Sequence, residues 1–118
     1  MKRFLAALPL VLLPAAALAQ TTPVPVTPQA CAVTTIATGG TAVTALAGPA
    51  NGFMIANPTG ASETLEFALS GVASTTQGGN TFGLAAGSIL RFDGQIAAGV
   101  NLSVNAATSA HAFSCARW

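Results

Sequence analysis

The sequence of 118 residues predicts an all-β fold: a small antiparallel β-sandwich, jelly-roll-like, or a barrel of about eight short strands. Three observations point there. Thr, Ser, Ala and Gly make up more than half of residues 20–118, and β-branched Thr suits a pleated, half-wet surface while Gly suits turns. Gly or Pro interrupts nearly every long stretch, which breaks an Ala-rich helix before it can propagate. The larger apolar residues recur at spacing two, the period of a strand, rather than at three and four.

The elements follow in order. Residues 1–19 read as a secretory signal peptide: Lys2 and Arg3 start it, an apolar run follows, and Ala17-Leu18-Ala19 supplies the small residues of a cleavage site. Pro9 and Pro14 break that run, and it falls short of the roughly 20 residues a spanning helix needs. Cleavage before Gln20 is therefore expected, with a secreted or periplasmic product and no transmembrane segment left in it. Residues 20–29 carry Pro23, Pro25 and Pro28 and predict an exposed, polyproline-like linker. Residues 30–118 form one domain.

Within that domain Cys31 to Thr38 is a first strand, Gly39-Gly40 a tight hairpin turn and Thr41 to Ala47 a second strand. Phe53 to Asn57 is a third, stopped by Asn57-Pro58. From Ser62 to Ser70 the pattern alternates: Leu65, Phe67 and Leu69 fall on a buried face, Thr64, Glu66 and Ala68 on a wet one. Gly71 to Asn80 reads as a polar, mobile loop. Thr81 to Leu84 is the next strand, then Ser88 to Asp93, with Leu90 and Phe92 inward and Arg91 outward. Val100 to Asn105 buries Leu102 and Val104, and His111 to Trp118 closes the chain.

Residues 20–118 contain no lysine, and their charges are Arg91, Arg117, Glu63, Glu66 and Asp93. Phosphate neutralisation needs clustered cations, so nucleic-acid binding is excluded. Such a surface is covered either by small polar residues or by another surface.

Cys31 and Cys115 are the two cysteines, one at each end of the domain. In an oxidising compartment they are expected to form a disulfide, making the first and last strands neighbours. The alternative, a metal site, lacks ligands, because His111 is the sole histidine. No metal and no cofactor are expected.

The residues of catalysis do not assemble. His111 and Cys115 lie four apart in one strand, about 13 Å, too far to share a hydrogen bond. Glu63 and Glu66 point to opposite faces, which excludes them as a carboxylate pair. Gly78-Gly79 has no helix after it and is no phosphate cradle. An enzyme is not expected. Five phenylalanines are assigned to the core. The candidate partner contact is Trp118 beside Arg117, residue types enriched at interfaces, and the alternative for Trp118 is a lid over one end of the sandwich.

Four stretches resemble a known group of proteins: Gly39-Gly40-Thr41-Ala42-Val43-Thr44, Phe53 to Pro58, Thr81 to Ser88, and Ser103 to Phe113. Together, over residues 36–118, they resemble small β-sandwich accessory proteins of bacteriophage and prophage structural regions. The shared traits are a hydrophobic strand ending in Asn-Pro, a Gly-Ser turn and an alanine-rich penultimate loop before a final strand. The resemblance implies a structural, non-catalytic role. The leader and the Cys31/Cys115 pair depart from it, since they suit a secreted cellular protein. The functional expectation is an exported or virion-associated structural or assembly module with a protein partner or self-association. The alternative is a secreted carbohydrate- or cell-surface-binding module that holds a glycan through Trp118 or the Gly71 to Asn80 loop.

Overall fold

A computed structural model describes residues 26–118; the expected leader, its cleavage point and the linker up to Pro25 lie outside them. Ten strands follow one another, with no helix among the described residues. They are β1 (Gln29–Ala30), β2 (Thr35–Ile36), β3 (Val43–Ala47), β4 (Phe53–Ala56), β5 (Leu65–Leu69), β6 (Phe82–Leu84), β7 (Ile89–Phe92), β8 (Asn101–Asn105), β9 (His111–Ala112) and β10 (Ser114–Arg117).

Two four-stranded sheets, ordered β1-β10-β4-β7 and β3-β8-β5-β6, form a sandwich, and a two-stranded ladder, β2-β9, continues the β1-β10 pair. Every pairing is antiparallel. The register shows how this order arises. Gln29 pairs with Arg117, Val43 with Val104, Phe53 with Phe92 and Leu65 with Leu84. Each pair straddles nearly the same midpoint, close to Ala73. The chain is thus one long double ribbon turned at the Gly71–Asn80 loop, then rolled so that β10 meets β4 and β8 meets β5. This is the jelly-roll order, and of the two expected architectures the chain adopts the sandwich.

The core lies between the sheets. Phe53 and Ile55 come from one sheet, Leu46, Leu65, Leu102 and Val104 from the other, and all are at most 2% exposed. They form one cluster with Ile36, Phe113 and the two cysteines. Side chains of this size contribute about 1.5–3 kcal/mol each when fully buried. In β3 a bulge between Thr44 and Leu46 turns two consecutive residues, Ala45 and Leu46, inward.

Several sequence expectations change. No hairpin joins the first two expected strands, because β2 pairs with β9 and β3 with β8. Gly39 and Gly40 serve a different contact: Gly40 adopts φ 75°, and a Cβ on Gly39 would stand 2.2 Å from the Ala107 carbonyl oxygen. The glycines let the chain pass close to the β8–β9 loop, which Gly40 N–H binds at Ala106 C=O. The expected strands 31–38 and 111–118 both break, since their pairing slips by one residue between the Cys31–Cys115 contact and the Thr34–Phe113 contact. The linker ends sooner than expected, with Gln29 already in β1.

The wet face of β5 is not wet. Glu66 is 6% exposed and Ala68 0%, as are Ser103 at 5% and Asn105 at 2% beside them on β8. The Gly71–Asn80 loop, expected to be a mobile tip, folds back over this face. Ala73 N–H donates to Ser103 Oγ, Asn105 Nδ2 donates to Ala73 C=O, and Ala73 itself is buried. Phe82 and Phe92 also depart from the core assignment, at 60% and 36% exposed, because β6 and β7 are edge strands. Phe82 stacks on Phe67 and Phe92 packs on Phe53 from the sheet margins.

Candidate functional site

The densest polar cluster gathers at one end of the sandwich, where the β4–β5 and β8–β9 loops meet. Asn57 ends the β4 segment before Pro58, which favours extended geometry there. Glu63 lies in the approach to β5 and His111 opens β9. His111 Nδ1 is 3.1 Å from Glu63 Oε1, and its Nε2 is 3.1 Å from Asn57 Oδ1. Asn57 Nδ2 donates to Glu63 C=O at 2.8 Å and Leu84 C=O at 2.9 Å, which sets the amide's orientation. Both ring nitrogens therefore face side-chain oxygens.

Glu63 also binds the β8–β9 loop. Its carboxylate accepts from Ala107 N–H and Thr108 N–H, each at 3.0 Å, and from the Thr108 hydroxyl. The Thr108 hydroxyl foremost, then the loop N–H groups and His111, hold the Glu63 carboxyl below the ordinary carboxylate value against the opposing effect of burial. Asn57 at 1% and His111 at 8% exposure are buried. A cleft of ≈ 270 Å³ opens above, lined by Pro58, Ser62, Thr108, Ser109, Ala110 and His111 among others.

Both nitrogens of His111 are engaged, by Glu63 and Asn57, so the cluster fastens the β4–β5 loop to the β8–β9 loop. Ser109 Oγ accepts from Gly39 N–H, fastening a third segment to the same loop. Among the described residues no group of three or more His, Cys, Asp or Glu is placed to hold a metal ion, and no helix is long and apolar enough to cross a membrane.

The residues singled out in the sequence are dispersed. Cys31 and Cys115 form a disulfide, with Cα atoms 5.3 Å apart. Arg117 and Trp118 line a separate cleft of ≈ 260 Å³ with Gln29, Pro49 and Asn51. Trp118 lies over Gly52, where an added Cβ would stand 2.5 Å from its Nε1, and the Arg91 guanidinium sits 4.7 Å from the ring centroid. Arg117 reaches the Ala47 carbonyl on β3. Glu66 lies apart beneath the Gly71–Asn80 loop. Its Oε2 has no hydrogen-bond partner, and burial pushes its carboxyl above the ordinary value, offset in part by a hydrogen bond from Gln77.

Sequence reasoning missed the Asn57–His111–Glu63 network. Nothing in local spacing marks it, since His111 lies 48 positions from Glu63 and 54 from Asn57. The Asn57-Pro58 pair stops the strand, as its turn chemistry predicts, and the Asn57 side chain also joins the two loops. No family model matches the chain, and no curated protein or solved structure matches it either.

Proposed function

We propose that this chain is an exported or virion-associated structural module that works without catalysis, by presenting a rigid jelly roll for assembly. The observation that carries this reading is the fate of its charges. Glu63 is spent on loop N–H groups and His111, Glu66 is buried, and Arg91 pairs with Asp93 at 2.9 Å. Arg117 alone among the charged side chains of the described residues is not buried, not paired with an opposite charge and not engaged by loop N–H groups. Soluble surfaces ordinarily carry about 25–35% charged residues, and neutral ones associate. The Cys31–Cys115 disulfide supports export to an oxidising compartment.

Jelly rolls build particle shells and glycan-binding domains alike, so the fold leaves the partner's class open. A glycan-binding module is the competing reading. Light scattering on the secreted product across a concentration series tests the proposal: self-association is expected, and a monomer at every concentration, together with saturable glycan binding lost in Trp118→Ala, replaces it with the alternative.

A further inference from the structure

We propose that the β7 edge is the self-association surface, pairing antiparallel with β7 of a second copy in a register in which Arg91 of each lies opposite Asp93 of the other. This deepens the assembly reading and rests on it.

The four sheet edges differ in cover. β1 has two residues and follows Pro28, which removes a donor. β3 is covered, since Ala32 N–H binds Ala45 C=O and Arg117 reaches Ala47 C=O. β6 has three residues, and Gln77 lies across its Gly83. β7 has four residues and Ile89 is 66% exposed.

The backbone decides which registers are open. Asn57 N–H donates to Ser88 C=O, and the same ladder sets Ile55 opposite Leu90 and Phe53 opposite Phe92. In an antiparallel pair, hydrogen-bonded and non-hydrogen-bonded positions alternate. Leu90 and Phe92 therefore direct their backbone groups at β4, while Ile89, Arg91 and, one step on, Asp93 turn theirs outward. A second β7 must bring outward residues opposite outward residues.

Three such registers pair two or more of the outward residues Ile89, Arg91 and Asp93 of each copy. One sets Ile89 opposite Arg91, which leaves both guanidinium groups facing an apolar side chain. Another sets Arg91 opposite Arg91, two like charges face to face. The third sets Arg91 opposite Asp93 twice, with the Phe92 residues meeting at the two-fold axis. Opposite charges directly across strands stabilise a sheet and like charges destabilise it, so charge selects the third. Within one copy Arg91 and Asp93 already share a face and pair at 2.9 Å, which neutralises the cation that would otherwise guard this edge. Joined in this way, the two β1-β10-β4-β7 sheets become one continuous sheet.

Sedimentation equilibrium of the wild type, Arg91→Asp, Asp93→Arg and their equimolar mixture tests this. Each single variant is expected to weaken association by about tenfold or more, and the mixture to restore it, since only a contact between copies is rescued by mixing. Amide exchange gives a readout free of any variant: the Arg91 and Asp93 N–H groups slow on association. Wild-type self-association with unchanged variants, an unrescued mixture or unprotected β7 amides overturns the β7 assignment and leaves the assembly reading standing. A wild type that stays monomeric overturns both.

Discussion

Two glutamates three positions apart meet opposite environments. Glu63 accepts hydrogen bonds from Thr108, His111 and Ala107, which lower its pKa from the ordinary 4.5 against the opposing effect of burial. Its contribution to stability is present above that value and disappears as pH falls through the lowered one. Glu66 is buried with an unpartnered oxygen, and its pKa is raised from the same 4.5. The folded state then binds the proton more tightly than the unfolded chain, so stability falls as pH rises through the raised value. Glu63→Gln is expected to cost about 2 kcal/mol at pH 7, and Glu66→Gln to stabilise there by about 1 kcal/mol. Thermal melts of each variant against the wild type check both signs: the Glu63 difference narrows as pH falls through its lowered pKa, the Glu66 difference already as pH falls through its raised one. Glu66 was legible as a strand residue; its burial was not, because alternation names a face without naming what covers it.

At the scale of elements, the Gly71–Asn80 loop is the instructive case. Its composition, rich in Gly, Ser and Thr, speaks for mobility, yet its hydrogen bonds tie it to the sheet beneath. Ser103 and Asn105 of β8 hold Ala73, and Thr81 Oγ1 accepts from Ser74 N–H. The amide protons of Ala73 and Ser74 should accordingly exchange slowly, while those of the exposed Gln77, Gly79 and Asn80 exchange fast. Ser103→Ala removes the acceptor of Ala73 N–H and is expected to cost about 1–3 kcal/mol. Hydrogen exchange followed residue by residue checks this; equal, fast exchange along the whole loop would show that it does not cap the sheet. The polar residues on β8 are what polar alternation predicts for an outer face. What the pattern does not carry is that a neighbouring loop of matching polarity returns to satisfy them.

At the scale of the molecule, the double ribbon has two ends, and each is fastened differently. The turning end is held by the Gly71–Asn80 loop on β8, and the open end by the Cys31–Cys115 bond across a sequence separation of 84. A cross-link closing so long a loop restricts the unfolded chain most, by about 4.5 kcal/mol on the chain-entropy account. Replacing both cysteines by alanine is expected to remove that much stability, a large share of what a domain of this size has. Urea unfolding of the double variant measures it. A loss under about 1 kcal/mol would mean that the β1–β10 and β2–β9 ladders already restrict the chain without the bond.

The sequence by itself determined that this chain is built of short strands, where most of them lie, and which two cysteines meet. Leu102 and Val104 went inward as their spacing required, and Cys31 joined Cys115 because they were the only pair. Only the tertiary structure decided the rest: that the strands at 35–36 and 43–47 pair with distant partners instead of with each other, that Glu66 is covered, and that Asn57, Glu63 and His111 converge. The reason is physical. Periodicity and turn chemistry act between neighbours in the chain, whereas ribbon rolling brings together residues about fifty positions apart, and no local rule records which of them will face one another.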